Sequence, residues 1–227
     1  ISDAEKNAFL KQVLLNQNTW GVGTKAKAVM ALAALGIDAT KVPATNGDSI
    51  TDLVAAVYNH EAKSISHYDL PYVLMMYDLG IYDIPDNAKW TREKVLNSIQ
   101  LQHDGYLGWN CSNGIDGSAM VLEALATDYK KGNTEVIDVV NNELENLKSL
   151  QNFDGTFASN SNATEMVIAA LSALGKDADA YCKDAETKSA LRGLFVFETS
   201  DHRLGYTSKT YNEFSTVQGL QALASYK

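Results

Sequence analysis

One helix-like segment recurs five times along the chain, and this recurrence constrains the fold more than any other feature. NATEMVIAALSALG at 162–175 returns as DGSAMVLEALATDY at 116–129 and EFSTVQGLQALASY at 213–226. Weaker copies are GTKAKAVMALAALG at 23–36 and HYDLPYVLMMYDLG at 67–80. Successive equivalent apolar positions are 44, 49, 46 and 52 residues apart, and they are Leu32, Met76, Leu125, Leu171 and Leu223. Near-even spacing of this kind indicates a repeat architecture.

A second set of segments alternates with these copies. Each begins at or beside a Ser, Thr or Asp and shows one apolar stripe against a charged face, which is typical of a helix with one side in water. They lie at 3–15, 48–61, 91–102, 134–151 and 185–198. The repeated copies are richer in Ala and apolar on most sides, as buried helices are. The pattern therefore predicts an all-α domain over 1–227, with about five helical hairpins whose inner helices are buried behind outer amphipathic helices.

The joints between outer and inner helices share a second motif. An aliphatic residue, three further residues, a Gln, a short spacer and a Gly occur in VLLNQNTWG at 13–21, LNSIQLQHDGYLGW at 96–109 and LKSLQNFDGTF at 147–157. A Gln at a helix end can satisfy unpaired carbonyl groups, and the Gly can take a positive φ. An aromatic beside the Gly can pack over the turn. We interpret the motif as structural, and the joint FETSDHRLGY at 197–206 lacks its Gln.

These joints resemble the Gln-Trp repeat of the terpenoid-cyclase and protein-prenyltransferase superfamily, whose fold is an α/α toroid. The resemblance covers nearly the whole chain. Complete toroids have about six hairpins, so five imply an incomplete ring with an unsealed apolar edge, or a flank that closes it. Within the superfamily, the chain is similar to cobalamin-carrier toroids and to toroid domains of bacterial secreted or surface proteins. That branch implies a domain excised from a longer extracellular or cell-surface protein.

The catalytic signatures of the superfamily are missing. The Asp-x-Asp-Asp acid motif of squalene-type cyclases and the Cys-Gly-Glu-Gln thioester string do not occur. In protein prenyltransferases the zinc-binding Asp precedes its Cys, whereas here Asp116 follows Cys111. We therefore predict no metal and no cofactor. In that branch cobalamin is held with a β-rich neighbouring domain, which the sequence does not show. Cys111 precedes one inner helix and Cys182 follows another, so the two are predicted to lie at opposite faces of the domain as free thiols.

If the inner helices all run in one direction, their N-termini line a single mouth. Aromatic, amide and carboxyl side chains gathered there suit a small polar ligand, a glycan or a peptide. The candidate ligand-binding residues are Trp20, His67, Tyr68, Asp69, Trp109, Asp116, Glu165, Tyr206, Tyr211 and Glu213. The alternative is structural, because polar residues at these positions also cap helices and complement the helix dipole.

The sequence favours a non-catalytic binding or interaction domain. The alternative is an enzyme, either terpenoid-cyclase-like or a glycan-acting hydrolase in which Asp69, Asp116, Glu165 or Glu213 form a carboxylate pair. A net charge of −9 argues against nucleic acid as a partner. No apolar run approaches the roughly 18–20 residues that a membrane span needs.

Overall fold

The computed structural model describes residues 1–43, 50–104 and 114–226. In this part of the chain the fold is all-α, as predicted, with ten α-helices and one antiparallel pair of two-residue strands. The elements in chain order are α1 Asp3–Asn16, α2 Val22–Ala34, β1 Val42–Pro43, β2 Ile50–Thr51, α3 Leu53–Tyr58, α4 Leu70–Asp78, α5 Arg92–Asp104, α6 Ile115–Lys130, α7 Thr134–Ser149, α8 Ser161–Ala173, α9 Ala190–Leu194 and α10 Glu213–Ser225.

The ten helices coincide with the ten predicted segments, but two outer helices are much shorter than predicted. Helix α3 has six residues because Asp52 caps it, accepting a hydrogen bond from the Ala55 N–H, while the preceding residues belong to β2. Helix α9 has five residues and begins after Ser189, whose hydroxyl accepts from the Arg192 N–H. Short polar side chains that bind nearby backbone compete with helix formation, which explains both truncations.

The chain divides into two compact units, Ile1–Leu101 and Gln102–Lys227. In the first, α2 packs on α3 and on α4. Asp69, the N-cap of α4, lies directly over Gly23 in the first turn of α2. One turn further on, the Lys27 ammonium lies 4.5 Å from the centre of the Tyr72 ring. Helices α2 and α4 therefore run in the same direction.

In the second unit, α8 packs between α6 and α10, with α7 against α6 and α9 against α8. Asn162 in the first turn of α8 hydrogen-bonds Asp116 in the first turn of α6. At the opposite end, the Tyr226 hydroxyl that follows α10 donates to Asp177 beyond α8, at 2.9 Å. The three inner helices of this unit are therefore parallel.

The joint before α8 is structural, as predicted, but its Gln bonds to the turn and to the following segment and not to carbonyls of its own helix end. The buried Gln151 amide donates to the carbonyl oxygens of Gly155, Tyr181 and Lys188 at 3.3–3.4 Å, and its oxygen accepts from the Lys183 N–H at 2.9 Å. Gly155 has a φ of 87°. The aromatic residue of the motif, at 157, is completely buried. One side chain thus ties a helix end to the next hairpin.

Helix α10 departs from the prediction that inner helices are buried on most sides. Phe214, Val217 and Leu220 are 69%, 51% and 61% exposed and form one stripe, which we call the α10 stripe. The opposite face, with Gly219 and Ala222, is buried. The helix packs chiefly on α8, so only that face is covered.

Candidate functional site

The N-terminus of α8 is held in place by its own polar side chains. The Asn160 carboxamide oxygen accepts from the Ala163 N–H at 2.8 Å. The buried Thr164 hydroxyl donates to the Asn160 carbonyl at 2.8 Å and accepts from the Phe157 N–H at 3.0 Å. These bonds satisfy donors that a helix start otherwise leaves unpaired. They fix the backbone of the first turn and therefore the direction of the next side chain.

The same arrangement occurs 52 residues later at the start of α10. Asn212 accepts from the Ser215 N–H at 2.9 Å, and the Thr216 hydroxyl accepts from the Leu204 N–H at 3.0 Å. Asn160 and Asn212 therefore cap their helices, and Thr164 and Thr216 tie each first turn to the preceding segment. The first turns of these two neighbouring inner helices have the same hydrogen bonds. A residue that differs between them is therefore not required by this turn and is a candidate for function.

Glu165 is that difference. Its side chain is only 2% exposed, and neither carboxyl oxygen has a hydrogen-bond partner. A Cβ atom placed on Gly219 would lie 3.8 Å from its Oε2 and 2.1 Å from Cδ1 of Leu204. The carboxyl group therefore lies at the seam between α8 and α10, next to hydrocarbon. Burial, and to a smaller extent the charge of Asp116, raise the pKa of Glu165 to about 8.

Asp116 and Asn162 form the more accessible part of this cluster. The Asn162 amide donates to Asp116 Oδ2 at 3.3 Å and to the Met166 sulfur at 3.7 Å. Burial raises the pKa of Asp116, and the hydrogen bond from Asn162 opposes that shift. Because Asp116 is exposed and Glu165 is buried, the two carboxyl groups lie at different depths. We call Asp116, Asn162 and Glu165 the carboxyl cluster.

The repeat shows that the scaffold does not require this carboxyl group. Glu165 stands six residues before the equivalent apolar position Leu171. The residues at the same offset in the other four copies are Ala26, Leu70, Ala119 and Val217. All are apolar. A buried ionisable group at an otherwise hydrocarbon position is a functional-site candidate.

The candidates of the first unit also lie at inner-helix N-termini. His67 and Tyr68 have ring centres 3.9 Å apart at a tilt of 40°. Asp69 accepts a hydrogen bond from the Ser66 hydroxyl at 2.9 Å. Trp20, just before α2, is half-buried. Residues 67–69 therefore lie together at the start of α4. The Asp69 carboxylate already has a local hydrogen-bond partner in Ser66.

The remaining candidates occupy the segment between α9 and α10. The Tyr206 carbonyl accepts from the Ser161 N–H at 2.8 Å, which places this exposed tyrosine beside the N-terminus of α8. The Tyr211 ring stacks on the Arg203 guanidinium at 3.7 Å. Glu213 is exposed in the first turn of α10. Sequence reasoning missed Arg203, because stacking across eight residues of irregular chain has no periodic signal.

Two predictions concern residues whose structure is not given. Trp109 and Cys111 lie outside the described residues, so the candidate role of the first and the thiol state of the second remain predictions. Cys182 is a free thiol.

The described residues contain no group of three or more His, Cys, Asp or Glu side chains placed to hold a metal ion. His202 instead pairs with Glu198, its Nδ1 lying 2.7 Å from Oε1. No helix in the described ranges combines the length and the hydropathy needed to cross a bilayer.

The chain matches no protein-family model, no curated protein and no solved structure. The resemblance to the toroid superfamily therefore rests on the repeat and its joints, and function has to be argued from the site itself.

Proposed function

We propose that the chain is a non-catalytic binding domain of the α/α-toroid type, from a secreted or cell-surface protein. Its ligand site is the mouth formed by inner-helix N-termini, centred on the carboxyl cluster. In support of the toroid arrangement, inner helices are parallel within each unit, and outer helices pack against them. Parallel helices gather their first turns at one end, which is what a mouth of this kind requires.

One observation carries the proposed site. Glu165 is buried, both of its carboxyl oxygens are unpaired, and its position is apolar in every other repeat. Leaving a buried polar group without a hydrogen bond costs roughly 1–3 kcal/mol. A structural role would be expected to supply a partner, as it does for Gln151 and Thr164. A ligand that provides the missing partners accounts for the arrangement.

The surroundings favour a polar ligand. Asp116 offers carboxylate oxygens at the surface, Asn162 an amide, and Tyr206 an exposed ring beside the same helix end. Aromatic rings with convergent hydrogen-bonding groups suit glycans and short peptides. The net charge of −9 argues against polyanionic ligands. Cobalamin belongs in the test because the repeat is similar to that of its carriers.

The test is a thermal-shift screen with neutral and amino glycans, short peptides and cobalamin. A ligand that binds only the native state stabilises it by about 2.7 kcal/mol at a hundred times its Kd. We expect a hit with the wild-type protein that Asn162→Ala weakens. Asn142→Ala, an exposed asparagine of α7, is the matched control. Silence of the whole panel at millimolar concentration would contradict a small-ligand site.

A glycan-acting hydrolase is a second candidate, favoured by the two carboxyl groups of the cluster. A carboxyl group with a pKa of about 8 is protonated at neutral pH, as a general acid must be. In that case the wild-type protein releases new reducing ends from the glycan it binds, and Glu165→Gln abolishes release. Binding without release supports the non-catalytic domain.

A further inference from the structure

We propose that the carboxyl cluster binds a primary ammonium group, so that the ligand is an amine such as an amino sugar or a polyamine. This inference rests on the proposed function and specifies the ligand class of the same site. It stands on two observations at the starts of α6 and α8: the hydrogen bond from Asn162 to Asp116, and the buried, unpartnered carboxyl of Glu165 one helical turn after Asn162.

When Glu165 ionises, the carboxyl cluster carries negative charge, and the described part of the chain places no basic side chain against it. The charge of Asp116 on α6 acts on Glu165, and Asn162, one turn before Glu165 on α8, hydrogen-bonds Asp116. Toward α10 the neighbours of the Glu165 carboxyl are Gly219 and Leu204. Within the described residues, no lysine or arginine pairs with either carboxyl group. Buried charges are ordinarily paired. A cationic ligand would supply the positive partner for these carboxyl groups.

The number of free acceptors selects the kind of cation. The two Glu165 oxygens have no donor, and Asp116 accepts only the Asn162 amide at one oxygen among the bonds that the structure shows. An ammonium group has three donors, which matches two unpaired Glu165 oxygens and one Asp116 oxygen in number. Hard metal ions require six or more oxygen ligands or near-ideal octahedral geometry, and two side-chain carboxyls do not supply it. A hydroxyl has one donor and leaves the charge unbalanced.

Binding then couples to a proton. In the free protein the Glu165 carboxyl is protonated near neutral pH, whereas a bound ammonium favours the carboxylate. Each binding event therefore releases up to one proton, and affinity increases up to tenfold per pH unit as pH rises toward about 8. Among the described residues, Asp116 is a second carboxyl group with a raised pKa, and its charge acts on Glu165.

The experiment is calorimetric titration with putrescine and with butane-1,4-diol, which has the same chain length but hydroxyl ends. Titrations at about pH 7 and pH 8, in buffers of different ionisation enthalpy, count the protons released. We expect putrescine to bind with proton release and with about fivefold higher affinity at the higher pH, because the ionised fraction of Glu165 rises by about that factor. The diol should not bind. Glu165→Gln and the more exposed Asp116→Asn each reduce putrescine affinity at least tenfold at pH 8.

Glu145→Gln on the exposed face of α7 is the matched control, because it changes net charge equally. The ammonium site is overturned if the diol binds as well as putrescine, or if the control weakens binding as much as Glu165→Gln. It is also overturned if putrescine affinity changes neither with pH nor with Glu165→Gln. The absence of putrescine binding overturns it too. If a neutral glycan or peptide binds instead, the proposed function survives this failure. Silence of all ligands contradicts both.

Discussion

Glu165 places an ionisable side chain where the other repeats have Ala, Leu or Val. Transfer of a carboxylate into hydrocarbon surroundings is so unfavourable that the group retains its proton instead. The raised pKa is therefore the expected response of a carboxyl group with no partner at the α8–α10 seam. It also makes the stability of the protein depend on pH.

Glu165 should make the protein less stable as pH rises from about 4.5 to about 8. Below that window the carboxyl is protonated in both states, so it contributes no pH dependence. Within it the folded state binds more protons than the unfolded state, so the free energy of unfolding falls with pH, and above it the effect is constant. Glu165→Gln should remove this decline. Between about pH 4.5 and pH 8.5, the free energy of unfolding of the variant should rise relative to that of wild type by on the order of 2–4 kcal/mol. Urea denaturation at about pH 4.5 and pH 8.5 measures it.

The control for this titration is Glu145→Gln, which should follow the wild-type pH dependence. An identical slope in wild type and Glu165→Gln would contradict the assignment of the shifted pKa to Glu165.

Two glycines with positive φ should respond differently to alanine. At Gly175, φ is 72° and a Cβ would meet only the end of Lys130 at 3.9 Å, so the conformational cost of about 1–2 kcal/mol stands alone. At Gly155 the Cβ would also lie 2.3 Å from the Ser189 carbonyl oxygen. We expect Gly155→Ala to lower the free energy of unfolding by at least about 2 kcal/mol more than Gly175→Ala does. Equal losses would contradict the close approach of this turn to the start of α9.

At the scale of elements, Gln151 is the tie between α7 and the segment that leads into α9. Gln151→Ala removes bonds to four backbone groups, three of them carbonyls, and leaves buried groups unpaired. We expect a loss of about 2–4 kcal/mol in chemical denaturation. Gln221→Ala on the exposed side of α10 should stay within about 0.5 kcal/mol of wild type. Similar small losses in both would show that the tie is not stabilising.

The elements were the most predictable part of the molecule. Helical periodicity located all ten helices, because burying one face of a helix imposes a 3.6-residue apolar pattern that can be read from each segment alone. A structural role for Gln151 followed from its position at a helix end, but its partners in the segment that leads into α9 did not, because they are up to 37 residues away. The lengths of α3 and α9 did not follow, because capping by Asp52 and Ser189 overrides the apolar pattern in those segments.

At the scale of the whole molecule, the α10 stripe and the net charge act against each other. The stripe favours association, whereas a charge of −9 keeps molecules apart. We expect self-association to increase near pH 4.9, where net charge vanishes, and to decrease at pH 8. Sedimentation velocity at both pH values measures it.

Replacing Phe214, Val217 and Leu220 with Gln should reduce both this association and the binding of an apolar dye, and change stability by less than about 1 kcal/mol. Leu15→Gln, an exposed leucine of α1, is the control. If the triple variant self-associates as strongly as wild type, the α10 stripe is not the surface responsible for self-association.

The site was predictable only in part at this scale. Asp116 and Glu165 were named from their places at the starts of two inner helices, and the structure brings them together because those helices are parallel. That Glu165 is buried and unpaired, whereas Glu213 is exposed, depends on the contacts of Leu204 and Gly219 with one face of α8. Periodicity within single helices contains no information on such contacts.

The one-sided packing of α10 has a consequence for the order in which the molecule opens. A helix that packs chiefly on α8 can detach while α6, α7 and α8 keep their own contacts, so its amide hydrogens should exchange with solvent sooner than theirs. Detachment also opens the seam that encloses the Glu165 carboxyl. Exchange at α10 should therefore rise with pH more steeply than intrinsic base catalysis between about pH 4.5 and pH 8, because opening lets the Glu165 carboxyl ionise in water. Above about pH 8 it should follow the intrinsic rate.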